Sequence, residues 1–294
     1  MPGNGPNALQ AVILPEPRKR FARTAARLDA LSAGHTMGQW LQFMGGLSRA
    51  QHCIAEVLGP DESPDLAVLG QAAEGGLPPL APERWAWRAD WRDGLELLLD
   101  AACDSAIPAP ARRVAESLRQ QAPERVDALA DAFLGDGVDA ADAGAALYVA
   151  AALQVQFTRR AASLPRSSVG LLAQRGLCPC CGSTAVAGVV AEAAPARGLR
   201  YLHCSLCSAA WNHVRAMCTN CGQSRSLALK EIEGGAGTVK AEVCEDCGTY
   251  AKLLFEARDP QVDPVADDLA SLGLDILLYE SGWWRHAPNP WLLG

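Results

Sequence analysis

The chain has 294 residues, 49% of them hydrophobic and 20% charged, and 26 Lys/Arg against 33 Asp/Glu leave a formal charge of -7. This is the composition of a globular chain of one large or two ordinary domains, with enough apolar residue for a core that does not depend on metal alone. It speaks against a strongly basic nucleic-acid binder, and the longest alanine-rich apolar run, Ala143 to Leu153, falls short of the ~20 residues of a membrane span, so neither nucleic-acid binding nor membrane insertion is expected.

The opening MPGNGPNALQAVILPEPRKRF has its basic residues after a short apolar stretch instead of before it, unlike a secretory signal, so a cytoplasmic protein is expected. Residues 1–165 read as a helical domain. Phe21, Ala25, Leu28 and Leu31 recur at helical spacing, as do Trp40, Phe43, Met44, Leu47, Ile54, Val57 and Leu58. Trp91, Leu95, Leu98, Leu99 and Ala102 form a third stripe, Val126, Leu129 and Phe133 a fourth, and Leu147, Ala150, Leu153 and Phe157 a fifth. Pro/Gly-rich stretches at 75–83 and 107–111 punctuate them, and a bundle of roughly six to seven helices is expected. Cys53 and Cys103 fall on helical stripes and read as core residues.

The composition changes near Pro165. Residues 170–262 carry cysteines, glycines and short β-like runs such as Val186 to Val190 and Leu227 to Ile232, the pattern of a small metal ribbon. Residues 263–294 return to a helical pattern, with Leu269, Leu272, Ile276, Leu277 and Tyr279 on one face. Asp267 and Asp268 stand in its first turn, where negative charge suits the helix dipole. The aromatic tail SGWWRHAPNPWLLG reads as an extended strap packing back on the rest. The expected class is therefore α plus a small metal ribbon: a helical N-terminal domain, two tandem four-cysteine units and a C-terminal helix.

Eight of the eleven cysteines fall into four Cys-x-x-Cys knuckles: Cys178 and Cys181, Cys204 and Cys207, Cys218 and Cys221, Cys244 and Cys247. In a reducing compartment that pattern reads as metal binding, not disulfides. Two cysteines three apart on a tight turn point both sulfurs at one ion, and two such turns make a tetrahedral four-thiolate site. Knuckles one and three start 40 residues apart, and so do two and four, the signature of a duplicated two-knuckle unit. The simplest pairing joins one with two and three with four, giving two metal ions per chain. A cross-braced pairing of one with three and two with four would exchange ligands between the repeats. Gly182, Gly222 and Gly248 follow three of the knuckles, where a left-handed backbone turns amides toward the sulfurs.

Cys180, inside the first knuckle, reads as a bystander thiol. His203 and His213 flank the second knuckle and read as surface or interface residues, while His35, His52 and His286 have no partner that sequence reveals. The glycine-rich turn Gly234 to Gly237 does not match a phosphate loop, and no GxSxG, HExxH, Walker or dinucleotide fingerprint is present. A closed four-thiolate site lacks an open coordination position, so no enzyme is expected.

From Gly176 onward the chain resembles the FdhE family, the formate dehydrogenase accessory proteins. The resemblance rests on CPCCGSTAVAGVV at 178–190, GLRYLHCSLCSAAWNHVRAMCTNCG at 198–222, AEVCEDCGTYAKLL at 241–254, DPVADDLASLGLDILLYESG at 263–282 and the closing NPWL at 289–292. It implies a cytoplasmic protein needed for active respiratory formate dehydrogenase, one that contacts the catalytic subunit without joining the mature enzyme. Cys178-Pro-x-Cys181-Gly and Cys244-x-x-Cys247-Gly-Thr-Tyr also look like the two rubredoxin knuckles, so iron is expected, with zinc the alternative. A rubredoxin-like electron carrier and a zinc-ribbon adaptor remain as other readings. Trp211, His213 and Arg215 read as part of an exposed docking face, with packing of Trp211 over the ribbon as the alternative.

Overall fold

A computed structural model describes residues 10–62, 64–82, 91–104, 107–135, 137–287 and 289–292. The first nine residues, the end of the Pro/Gly-rich stretch at 75–83 and three residues of the aromatic tail lie outside them.

Seven helices make up the N-terminal half of the described residues: α1 Pro17–Ser32, α2 Gly38–Leu58, α3 Leu66–Glu74, α4 Trp91–Asp104, α5 Ala109–Arg119, α6 Pro123–Leu134 and α7 Ala143–Ser163. Their ends follow local chemistry. Proline stands in the first turn of α1, α5 and α6, where its missing N–H is not needed. The Asp65 carboxylate accepts from the Ala67 amide to cap α3, and α7 stops at Leu164, the residue before Pro165. α7 is the axis of the bundle, buried on nearly every side from Tyr148 to Arg159. Its alanines let neighbouring helices approach, and Leu153 and Phe157 fill the space between them.

The second half is one continuous sheet. Its strands are β1 Val12–Ile13, β2 Ala185–Val190, β3 Arg200–Cys204, β4 Ala210–His213, β5 Leu227–Lys230, β6 Val239–Cys244, β7 Thr249–Phe255 and β8 Trp284–Arg285. The order is β1-β4-β3-β2-β7-β6-β5, with β8 alongside the start of β7. Each repeat is an antiparallel three-strand unit, β2-β3-β4 and β5-β6-β7. The two units fuse through a parallel pairing of β2 with β7 that sets Gly188 opposite Leu253. A side chain at Gly188 would come within 2.8 Å of Leu253, so glycine is what lets this seam close.

Two short helices, α8 Ala266–Ala270 and α9 Leu272–Glu280, precede the tail. The sequence reading of one helix with Leu269, Leu272, Ile276, Leu277 and Tyr279 on a single face is corrected here. The helix is interrupted at Ser271, which resets the phase, so Leu274 and Leu278 face inward while Ile276, Leu277 and Tyr279 are exposed. Asp267 and Asp268 do stand in the first turn of α8, and they are also buried ion-pair partners: Asp267 meets Arg27, and Asp268 meets Lys252 and Arg285. The tail closes over the helices, where the Trp291 indole donates to Gln154 of α7 at 3.0 Å. Val57 and Cys53 of α2, read as core positions, are exposed, and Cys103 is half-buried at the edge of the core. Both α2 positions lie on a flank that no other element among the described residues covers.

Candidate metal centres

Each repeat builds its sulfur cluster with the same hydrogen bonds. In the first knuckle, Cys178 N–H donates to Ser183 O and Gly182 N–H to Cys178 O, both at 2.9 Å. In the third, Cys218 N–H donates to Gln223 O at 2.8 Å and Gly222 N–H to Cys218 O at 3.1 Å. Knuckles two and four form the β3-β4 and β6-β7 turns, and each docks on its partner knuckle by one amide, Ser205 N–H to Thr184 O and Glu245 N–H to Ser226 O. The residue after each knuckle is left-handed: Gly182, Gly222 and Gly248 at φ 82, 74 and 70, and Ser208 at φ 60. For a residue with a Cβ that conformation costs about 1–2 kcal/mol. Ser208 offsets it in part by accepting from the Arg20 guanidinium at 2.9 Å.

Cys178, Cys181, Cys204 and Cys207 come together in one group, and Cys218, Cys221, Cys244 and Cys247 in another, with the sulfurs of each within 4.8 Å of one another. Among the described residues these are the two groups of that kind. The grouping is within repeats and not cross-braced. Sulfur separations are 3.5 Å for Cys178–Cys207 and 3.4 Å for Cys181–Cys204, then 3.8 Å for Cys218–Cys247 and 3.7 Å for Cys221–Cys244. These are far too long for disulfides and close to the ~3.8 Å edge of a tetrahedron with metal–sulfur bonds of about 2.3 Å. The donor set therefore fits a zinc or iron ion in each group.

Amides surround the sulfurs. Cys180 N–H points at Cys178 Sγ at 3.4 Å, and the amides of Leu206 and Cys207 point at Cys204 Sγ at 3.4 and 3.3 Å. The second centre repeats this, with Asn220 and Cys221 amides on Cys218 and Asp246 and Cys247 amides on Cys244. Burial pushes the Cys178 and Cys207 thiols well up and raises Cys204. Burial also opposes ionisation of Cys181, but hydrogen bonds from its cluster mates and Ser183 outweigh it and hold that thiol well below the ordinary range. In the second centre burial lifts Cys218 to about 12, while Thr249 overcomes burial to bring Cys247 to about 7. Burial thus works against ionising most of these thiols, and a bound cation would offset the repulsion of four thiolates in one pocket.

The centres differ in burial. All four cysteines of the first lie inside the same apolar core as Leu153, Trp211 and Val265. The helical half reaches it directly: Leu80 N–H donates to Cys180 O at 2.8 Å and the Gln154 amide to Ser205 O at 2.8 Å. In the second centre Cys221 is exposed and Cys247 half-buried. Cys180 is fully buried, its carbonyl used by Leu80, while its thiol faces Cys178 and Cys207 and falls to about 6 through their hydrogen bonds.

The flanking residues correct the sequence reading. His213 is buried, not displayed; Trp211 follows the packing alternative and is buried too, and only Arg215 of the three is exposed. The Trp211 indole donates to Arg175 O at 2.8 Å. His213 belongs to a network that spacing could not reveal. Arg200, fully buried on β3, donates to Glu242 of β6 at 2.5 Å, contacts His213 and reaches the Met217 carbonyl at 2.6 Å. That arginine ties the first repeat to the second. Burial, then the neighbouring Arg200 charge, push His213 down to about 4. His203 also falls to about 4 through burial. His35 bridges the helical half to α8, meeting Ala270 O at 3.0 Å. His52 lies 3.6 Å from Glu56, and His286 joins β7 by its backbone.

Comparison with known proteins covers nearly all of the chain. The family models for the FdhE N-terminal region, the FdhE central domain and the FdhE C-terminal domain match residues 9–173, 177–215 and 216–292. A protein FdhE homolog of Edwardsiella ictaluri is 38% identical over 284 residues, covering 96% of this chain and 91% of that one. A homolog from Rhizobium meliloti is 33% identical over 96% of this chain and 93% of its own length. The crystal structure of the FdhE protein from Pseudomonas aeruginosa superposes with a TM-score of 0.85 at 34% identity, covering 96% of this chain and 98% of that chain.

Proposed function

This chain belongs to the FdhE family, and from that premise we propose that it is an accessory factor required for an active formate dehydrogenase, binding the catalytic subunit of that enzyme without turning over formate. The observation that carries the reading is the pair of four-sulfur clusters within a full-length family match. Cys178, Cys181, Cys204 and Cys207 would hold one ion, and Cys218, Cys221, Cys244 and Cys247 the other. Iron is the favoured metal, from the rubredoxin-like knuckles, and zinc the alternative. Four thiolates fill a tetrahedral ion, so the metals order the chain rather than take substrate. In this reading residues 1–165 are a helical platform, 170–262 the metal region and 263–294 the strap that closes on both.

With Trp211 and His213 buried, docking falls to the surface around the second centre. Tyr279 and Trp284 stack edge to face, both 63% exposed, and Ile276 and Leu277 of α9 are exposed as well. The Trp284 amide donates to Gly248 O, the residue after the fourth knuckle, so the metal turn sets the position of the patch. An exposed apolar cluster of this kind is characteristic of a protein contact. The test is a host deleted for this gene and complemented with the wild type, with a double variant Tyr279→Ala and Trp284→Ala, or with Cys218→Ser. Dehydrogenase activity and capture of the catalytic subunit should fall together in both variants. Full dehydrogenase activity in the deleted host, with no second accessory protein present, refutes the accessory role; wild-type capture by the aromatic variant refutes only the patch.

A further inference from the structure

A cleft of about 410 Å³ lies on the face of the first repeat, between the sheet, the start of α1 and the 262–265 turn. Its walls are apolar, with Val186, Val189, Val262 and Val265 among them, and Cys204 of the first centre lies on its lining. The volume is that of a small-molecule site.

The polar groups on this lining are unevenly engaged. Asp263 is spent: one oxygen accepts from the Val265 and Ala266 amides and the other from Thr24. Glu256 accepts from the Glu192 amide, and Glu16 pairs with Lys19. Arg20 is held by Ser208 and Thr24. Arg23, by contrast, is exposed on the lining and makes no ion pair or hydrogen bond among the described residues, and the His203 ring also lacks a partner there. Apart from the second oxygen of Glu256, which has no partner among the described residues, the free hydrogen-bonding capacity of the cleft is donor capacity around one cation. The backbone beneath is paired within the sheet, so an extended peptide would find no main-chain partners on this face.

We propose that this cleft binds a small organic monoanion, a carboxylate on an aliphatic body, with the carboxylate on Arg23 and the body against the valines. One free guanidinium matches one negative charge, and a dianion would face Glu256 and Asp263 without a second free arginine. Ser208 is on the same lining, the one described non-glycine residue at positive φ, and its hydroxyl accepts from Arg20, which leaves Arg23 as the guanidinium open to a ligand. The inference does not rest on the accessory role.

The test is calorimetry on the full metal-loaded chain with octanoate, 1-octanol, octylamine and acetate. Octanoate should bind one to one, at least ~10-fold tighter than octanol, octylamine or acetate. Arg23→Glu should weaken octanoate at least ~10-fold and Arg23→Lys only about threefold; Arg23 is exposed, so both variants fold. Ile13→Trp, at the mouth, should also block binding. Equal affinity for octanol and octanoate, unchanged affinity in Arg23→Glu, or no saturable octanoate binding to about 10 mM overturns the proposal.

Discussion

Removing one knuckle from each centre should have unequal consequences. Consider Cys204→Ser with Cys207→Ser, set against Cys218→Ser with Cys221→Ser. A structural four-thiolate ion contributes roughly 10–16 kcal/mol of apparent folding free energy, and a whole domain is stable by about 5–15 kcal/mol. The first centre shares its core with α7, Trp211 and α8 and is bonded to Leu80 and Gln154, so its loss should remove most of the margin for both halves. The second centre's cysteines lie outside that core; its strands β6 and β7 contribute instead to a smaller cluster of Ala241, Val243, Tyr250, Leu274 and Leu278, and its Cys221 already meets solvent. Its loss should free β5 and the third knuckle while the helices persist. Metal content by elemental analysis and helix melting by circular dichroism at 222 nm separate the cases. The second-centre variant should hold one ion per chain and melt within roughly 10 °C of the parent, about 3–5 kcal/mol at 2–4 °C for each. The first-centre variant should be insoluble or lose its cooperative helical transition. Equal falls in melting temperature, or loss of both ions from the second-centre variant, would show that the centres are not graded by burial as argued.

Three further outcomes are expected. His213 titrates at about 4 in the folded chain and near 6.5 unfolded, so the unfolded state takes the proton first and stability falls as pH drops from about 6.5 toward 4. By pH 5.5 that amounts to about 1.4 kcal/mol, and His213→Asn should remove this part of the pH slope in denaturant titrations at pH 7.5 and 5.5; an unchanged slope would contradict the buried neutral ring. Gly176→Ala would place a Cβ 2.0 Å from the Thr219 carbonyl oxygen inside the third knuckle, so it should cost about 1–3 kcal/mol or more and weaken metal retention at the second centre, checked by chelator competition. Ser208→Ala keeps the left-handed strain and loses the Arg20 bond, whereas Ser208→Gly loses both, so glycine should be the more stable of the two by about 1 kcal/mol in thermal melts.

The sequence announced most of the local structure. Helical stripes such as Phe21, Ala25 and Leu28 point inward because 3.6-residue periodicity is a local signal. The grouping of sulfurs follows from the repeat, since each unit closes over its own strands. What stayed hidden depends on partners far along the chain. The β2-β7 seam joins Gly188 to Leu253, and neither strand carries a mark of the other. Arg200 sits in an apolar strand as if it were an exposed residue, and only Glu242, brought alongside by that seam, makes its burial intelligible. His213 is hidden from sequence for the same reason, and the choice between display and packing for Trp211 falls to packing, because the face they occupy is covered by elements that a local pattern does not include. The α9 face was lost to a single break at Ser271 that shifted the phase of everything after it.

The two repeats share one hydrogen-bonding plan yet attach to different parts of the chain, and the residue after the last cysteine of each unit is where they diverge. In the second unit that residue is Gly248, whose carbonyl accepts the Trp284 amide and so fastens the C-terminal tail. In the first unit it is Ser208, which keeps the left-handed backbone and uses its side chain to hold Arg20 of α1. One copy thus ties its centre to the helical half, and the other ties its centre to the exposed Trp284. The Arg200–Glu242 pair joins the copies across the sheet, so displacement of one unit must carry the other. A duplicated metal turn has in this way become a buried anchor at one end and a solvent-facing turn at the other. That division is the physical reason for looking to the second centre for partner contact and to the first for stability.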